Sequence, residues 1–309
     1  ASFLLFVAAL ALVVRELGVP YPPRAVLPTV ALVLVCSPIK TQIAQGQLNF
    51  VLLFLFVAAW VADRRGYQTA AGVAAGAAAA LKLYPAFLFL YFALARRWRA
   101  VAAGAVAFLA LNGLALALFG AGAFRTYVEQ VVPSVVRYEA EWRNVSAQAF
   151  WLRAFTPQER TQAVVDRPAV GRAAGLAARA LVAVVVAAVC WRARTAGERD
   201  RAFAVTLVGM LLVSPITWNH YLVLLLMPVG LVWMRLPGGP PRWAMAVVFV
   251  ALWLPATLVA RVGIGKDQAA ALARQQNAPL TGAENLYTVS VPHYALVGLF
   301  VLTLLVRPD

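Results

Sequence analysis

The sequence predicts an all-α polytopic membrane protein, on three observations. Of 309 residues, 63% are hydrophobic and 13% charged; soluble domains run at roughly 45–50% apolar and about 25% charged, so these charges are too few to cover a water-facing surface. Mean hydropathy is +0.79, and apolar runs recur along nearly the whole chain. The net charge of +15 is held in short arginine clusters between those runs. Membrane topology requires that pattern, so nucleic acid is excluded as the partner. One integral membrane domain is expected over residues 1–309.

The first apolar run, Ser2 to Val14, stops at Arg15 and is shorter than the roughly 20 residues that a span needs. No basic stretch precedes it, so it does not read as a signal peptide; it is expected to continue a segment beginning upstream of Ala1. Further apolar segments cover 25–38, 49–62, 69–95, 99–121, 172–191, 202–216, 219–236, 242–260 and 290–306. Basic clusters mark the cytoplasmic ends: Arg15 and Arg24; Arg64 and Arg65; Arg96, Arg97 and Arg99; Arg192, Arg194, Arg199 and Arg201; Arg235 and Arg242; Arg307. This alternation closes only if 69–95 returns to the side it came from. Lys82-Leu83-Tyr84-Pro85 supplies the break, because proline disfavours helix at the residue before it. Two half-helices, 69–81 and 86–95, are expected to meet at a Lys-Tyr-Pro tip; the alternative is a single tilted span.

Five regions then face outward: 37–48, the Lys82 tip, 122–171, 216–220 and 261–289. In the longest of them Phe124, Tyr127, Val128, Val131, Val135, Tyr138 and Trp142 fall at three- and four-residue steps, the pattern of a helix lying in the membrane interface. The 261–289 stretch, with Gln275, Gln276 and Asn277, reads as a second external loop. The Ala-rich stretch 70–80 suits close helix packing. Cys36 and Cys190 fall on opposite sides of the bilayer and are expected as buried thiols, not a disulfide.

The informative residues are polar ones that lipid does not tolerate. Gln45-Gly46-Gln47-Leu48-Asn49 opens the 49–62 helix. One such amide suffices for capping, so three invite a ligand reading, and helix N-termini attract phosphate. Lys82 lies within an apolar run. Snorkelling to an interface is the plain explanation, and an anionic ligand in a cavity lined by broken helix is the functional one. Ser214-Pro215-Ile216-Thr217-Trp218-Asn219-His220-Tyr221 is a polar knot, readable as a tight outer turn; His220 is able to donate to a phosphate or carry a proton. His293 reads as interfacial. Arg179, inside a helix, needs an anionic or carbonyl partner. No His, Cys, Asp or Glu set has metal-ligand spacing, so no metal or other cofactor is expected.

These residues, taken in order, resemble a known family. Gln45-Gly46-Gln47-Leu48-Asn49, Gly72 and Gly76 followed by Leu81-Lys82-Leu83-Tyr84-Pro85, Arg96-Arg97-Trp98-Arg99, Asn144-Val145-Ser146 with Arg153, and Ser214-Pro215 with Trp218 and His220-Tyr221 are similar to the polyprenol-phosphate-dependent mannosyltransferases of glycosyltransferase family 87. The resemblance spans about 25 to 306. It implies a GT-C fold, a helix bundle with broken helices and an extracytoplasmic active site in the plasma membrane. It also implies a polyprenyl-phosphate sugar donor, a glycolipid or glycan acceptor of the lipoglycan type, membrane lipid as surroundings, and transfer with inversion. The catalytic base it implies is an aspartate in an outward loop upstream of Ala1; Glu139, Glu141 and Asp166 find no support in the resemblance as substitutes. Lys82, His220 and Arg153 are then expected at the donor phosphate, and Gln45, Gln47, Asn49, Tyr84, Asn144, Ser146 and Trp218 at the substrates. The competing class is a secondary transporter or lipid-linked-sugar flippase, which predicts inverted repeats and polar pathways to both faces.

Overall fold

The computed structural model describes residues 2–20, 22–274 and 279–307. Among them the regular structure is helical: α1 (Ser2–Glu16), α2 (Val26–Val35), α3 (Ser37–Ala44), α4 (Asn49–Arg64), α5 (Gln68–Leu81), α6 (Leu88–Leu94), α7 (Trp98–Thr126), α8 (Ala147–Phe155), α9 (Pro168–Arg192), α10 (Ala196–Val213), α11 (Leu226–Arg235), α12 (Pro240–Trp253), α13 (Ala256–Ile264), α14 (Lys266–Ala273) and α15 (Val291–Leu305). Short 3₁₀ or π turns lead into α6, α11 and α15. Gln275, Gln276 and Asn277 lie outside the described residues.

The ten apolar segments of the sequence do not give ten unbroken spans. Two helical stretches among the described residues are long and apolar enough to cross a bilayer alone, 98–138 and α9, and up to four if bent pairs count as one. Prolines explain much of the difference. The 25–38 segment breaks at Cys36, two residues before Pro38, and 242–260 breaks at Leu254, which is extended (ψ 142°) before Pro255. The polar stretches 37–48 and 261–289, expected as loops, carry α3, the end of α13 and all of α14. The expected interface helix around 124–142 is not separate. It continues α7 beyond a bend at Gly120 (φ 77°) and runs on in π and 3₁₀ turns to Tyr138. Trp142, the last member of its apolar stripe, is instead buried against Leu280, Val289 and Ile264.

The break at Lys82 is present. Lys82 is extended (φ −146°, ψ 141°), and a 3₁₀ turn over Tyr84–Phe87 leads into α6. Two close approaches fix what happens next. A Cβ on Gly72 would lie 2.1 Å from the Ala100 carbonyl oxygen, and one on Gly76 would lie 2.2 Å from that of Gly104. Since α5 meets α7 first at 72 against 100 and then at 76 against 104, the two helices run parallel. Residues 82–97 must therefore carry the chain back to the level where α5 began, as the hairpin reading requires. Gly76→Leu is expected to force this seam apart, since overpacking a close contact costs about 1–3 kcal/mol or more. Gly113→Leu, where an added Cβ would meet nothing within 4 Å, is the matched control. Melting temperatures of both variants in detergent check this; equal values would refute the seam.

Contacts also separate two ends of the bundle. At one, Asp63 of α4 accepts a hydrogen bond from Tyr91 (2.6 Å) and pairs with Arg97 (2.9 Å). Asp200 of α10 accepts from Trp60 (2.8 Å) and Arg235 (3.0 Å). Arg65 pairs with Glu16, Arg96 stacks on Trp191, and Arg201 donates to the Val306 carbonyl (3.4 Å). The arginine clusters of the sequence thus gather with the ends of α1, α4, α6, α9, α10, α11 and α15. The capping box of Thr195 and Glu198 starts α10 there, and backbone N–H donors hold the Glu198 carboxyl below its ordinary pKa. Cys36 and Cys190 are both free and buried.

Candidate functional site

The end away from those arginine clusters holds a cavity of about 750 Å³. Its walls include Ser37 and Thr41 of α3, Gln45 and Gln47 of the turn after it, and Trp218, Asn219, His220 and Tyr221 of the polar knot. The turn works because Gly46 adopts φ +59°, a conformation glycine reaches without a steric penalty. The amides do not cap α4, whose N-terminus receives no side-chain hydrogen bond. Gln47 and Asn49 engage Gln42 and Lys82 instead. Fully buried Asn49 donates to the Gln42 side chain (2.8 Å) and to the His220 carbonyl (3.3 Å), and Gln42 donates to the Gln47 carbonyl.

Lys82 and Asn49 do not themselves line the cavity; Lys82, at the hairpin tip, bonds two residues of its wall. Its ammonium donates to Asn49 Oδ1 (3.1 Å), Gln47 Oε1 (3.4 Å) and the Tyr221 hydroxyl (3.4 Å), and lies 4.4 Å from the Tyr221 ring centroid. All of these partners are neutral. Three oriented dipoles fix the group without cancelling its charge, which leaves a half-buried cation available to an anion. Tyr84 stacks on Tyr221 (5.4 Å between centroids) and supports that wall from behind, without lining the cavity. His220, 5% exposed, stands edge-on to Tyr221.

Asn144, Ser146 and Arg153, expected at the substrates, do not line the cavity. Asn144 accepts from the backbone N–H groups of Ser146 (3.1 Å) and Thr217 (2.9 Å) and donates to the carbonyls of Tyr138, Glu139 and Pro215, which uses its whole amide. Ser146 caps α8 through Ala149 (3.2 Å) and bonds the Pro215 carbonyl (3.3 Å). Arg153 is 0% exposed; it donates to the carbonyls of Glu141 (3.0 Å) and Asn144 (2.7 Å) and to Asn285 Oδ1 (3.3 Å). Burial lowers its pKa to about 10, so it stays charged at neutral pH. These three residues tie the 139–146 bend to the polar knot, joined also by the Asn144–Trp218 bridge. They hold the cavity wall and do not form it. His293 is likewise not interfacial: it is 6% exposed, stacked on Phe150 at 4.6 Å, with Nδ1 3.0 Å from the Val145 carbonyl. Arg179 finds the carbonyl partner its position demands, Val213 O at 2.8 Å.

Sequence reasoning missed several wall residues. Ser37 and Thr41 lie in a polar outward stretch whose sequence singles out neither of them, and Ser37 accepts a hydrogen bond from Asn219 (3.2 Å). Glu141, Arg143 and Arg160 also line the cavity; their only sequence signal is charge within a stretch rich in charge. No three His, Cys, Asp or Glu side chains come together among the described residues.

Residues 1–215 match glycosyltransferase family 87. The chain belongs to that family. It is similar, at 30% identity over 224 residues, to the polyprenol-phosphate-mannose-dependent alpha-(1-2)-phosphatidylinositol pentamannoside mannosyltransferase of Mycolicibacterium smegmatis, covering 69% of this chain and 49% of the relative. A protein of the same description from Mycobacterium tuberculosis is 28% identical over 217 residues, 67% of this chain and 44% of the relative. The alpha-(1-2)-phosphatidylinositol mannoside mannosyltransferase of Mycobacterium tuberculosis, also polyprenol-phosphate-mannose-dependent, is 27% identical over 290 residues, 84% and 62% of the two chains. The chain spans about half the length of the first two of these relatives. No solved structure matches. The family match takes in Gln47, Asn49, Lys82 and the Asn144–Arg153 scaffold and ends at Pro215, so this glycosyltransferase family 87 chain completes its cavity with Trp218 to Tyr221 from beyond it.

Proposed function

We propose that this chain is the membrane body of a GT-C mannosyltransferase that moves mannose from a polyprenyl-phosphate donor to a hydroxyl of a glycolipid or glycan, with inversion, at the extracytoplasmic face of the plasma membrane. The observation that carries this reading is Lys82, an ammonium with only neutral partners, two of which, Gln47 and Tyr221, are walls of a polar cavity. In the proposed reaction the acceptor hydroxyl loses its proton to a base, the aspartate implied by the family resemblance. The oxygen attacks the anomeric carbon, and the bond to the phosphate oxygen breaks as polyprenyl phosphate leaves. Lys82 meets the charge that grows on the leaving phosphate, His220 stands ready to donate to the same group, and Gln45, Gln47 and Trp218 face the sugar.

A second cavity supports the lipid part of this reading. It is apolar, holds about 190 Å³, and takes Cys36, Pro38, Leu222 and Val223 as walls, the chain neighbours of Ser37 and Tyr221 on the polar cavity. Chain-adjacent residues thus wall a polar and an apolar cavity, which suits a donor with a polar head and an isoprenoid tail. The arginine-rich end opposite the site supports the orientation, because basic clusters mark the cytoplasmic side.

The full-length protein, supplied with polyprenyl-phosphate mannose and a phosphatidylinositol mannoside, is expected to give a product with inverted anomeric configuration by NMR. Retention, or no transfer, would overturn the reading. Cysteines placed at Gln47 and His220 are expected to react with an impermeant maleimide in intact cells. Reaction only after permeabilisation would reverse the assigned orientation.

A further inference from the structure

The polar cavity holds a second set of groups that the donor reading leaves unused. Glu141, Trp142 and Arg143 line it side by side. The Glu141 carboxylate accepts no hydrogen bond among the described residues. Its Oε1 is buried, with Arg143 Nε 3.7 Å away. Trp142 is 5% exposed, and its indole N–H is buried and donates to nothing among the described residues. The Arg143 guanidinium lies over the Trp142 ring, 5.1 Å from its centroid. The backbone beneath is fixed, because the Glu141 carbonyl accepts from Arg153 (3.0 Å) and from Asn144 N (2.9 Å).

Buried polar groups are normally paired, and an unpaired one is costly. An acceptor held only in a 3.7 Å ion pair, without a hydrogen bond, and a donor without one, on consecutive residues of a cavity wall, therefore point to a ligand position. The two together select its chemistry. A hydroxyl accepts from the indole N–H and donates to the carboxylate at once. A phosphate oxygen cannot donate and would be repelled by Glu141. Tyr138 and Trp218, packed edge to face at 6.1 Å, line the same cavity and offer apolar ring surface to the C–H faces of a pyranose. Lys82 is bound instead to Gln47, Asn49 and Tyr221, so the carboxylate and the ammonium serve different parts of the site.

We propose that Glu141 and Trp142 form the subsite that grips a hydroxyl of the acceptor's terminal sugar, an assignment resting on the glycosyltransferase reading above. The test measures binding of a phosphatidylinositol mannoside, and separately of polyprenyl-phosphate mannose, to the full-length protein in nanodiscs. Glu141→Ala and Trp142→Phe are each expected to weaken acceptor binding about tenfold, the scale of one hydrogen bond involving a charge, with Glu141→Gln intermediate. Donor binding is expected to stay unchanged. Glu141→Ala removes a 3.7 Å ion pair with Arg143 and Trp142→Phe leaves a void against Leu280 and Val289, so melting temperatures are measured alongside and affinities are compared per folded molecule. Unchanged acceptor affinity in both variants, or equal loss for both lipids, would overturn the subsite while leaving the glycosyltransferase reading intact. Failure of the wild type to bind either lipid would overturn that reading, and the subsite with it.

Discussion

Lys82→Met is expected to cut donor use roughly 10- to 150-fold while leaving the acceptor KM near its wild-type value. The ammonium makes three hydrogen bonds to neutral groups, and losing a charge-assisted contact to the donor phosphate costs about 1.5–3 kcal/mol, which is that range of ratios at about 1.4 kcal/mol per decade. Methionine keeps the length and the apolar stem, so the hairpin tip should still pack. Kinetics of the full-length enzyme with each substrate varied in turn decide the matter. A defect confined to the acceptor would move Lys82 to the other half of the reaction. Because Glu141 is assigned to the acceptor, Lys82→Met and Glu141→Ala should impair different substrates, a pattern that general misfolding does not produce.

Arg153→Ala should act quite differently, through stability. The guanidinium is completely buried and bonded to Glu141 O, Asn144 O and Asn285 Oδ1. Its removal strands buried acceptors and opens a void, together about 3 kcal/mol or more. The expected result is a melting temperature lower by several degrees and less folded protein on extraction, with donor affinity per folded molecule unchanged. Arg153→Lys, which keeps the charge but loses the fork, should recover part of the loss. Wild-type stability combined with lost donor affinity would return Arg153 to the phosphate, where the family resemblance put it.

That contrast shows what is legible in a sequence of this kind. The break at Lys82-Leu83-Tyr84-Pro85 is local chemistry, since proline acts on its own neighbours, and the arginine clusters report topology through charge alone. Both are readable, and the contacts at 72 against 100 and at 76 against 104 agree with them. Asn144 and Arg153 are not readable in that way. A polar side chain has the same letter whether it faces a ligand or bonds a carbonyl, and the partners that decide here, Pro215 and Asn285, lie far along the chain. His293 fails for the same reason: its place depends on Phe150 and Val145. Glu141, set aside as a base, and Trp142, part of an interfacial stripe in the sequence, do not read there as a pair on a cavity wall, because what marks them is the lack of a hydrogen-bond partner, which only the folded neighbourhood reveals.

The shortness of the hairpin has a consequence for the bilayer around it. α5 has 14 residues, a rise of roughly 21 Å, whereas the hydrocarbon core is about 30 Å thick. With its first turn at the arginine end, as the proposed orientation has it, α5 would stop short of the far boundary and leave Lys82 below the level of the surrounding headgroups. A hydrophobic stretch that is too short is met by thinning the membrane beside it. The exposed outer side of this wall, with Val73, Leu81 and Leu83, thus faces lipid that must dip toward the ammonium. On the proposed function the protein would deform its solvent locally, and membrane thickness would become a variable of catalysis: longer acyl chains would raise the cost of the dip and set it against the seating of the donor head.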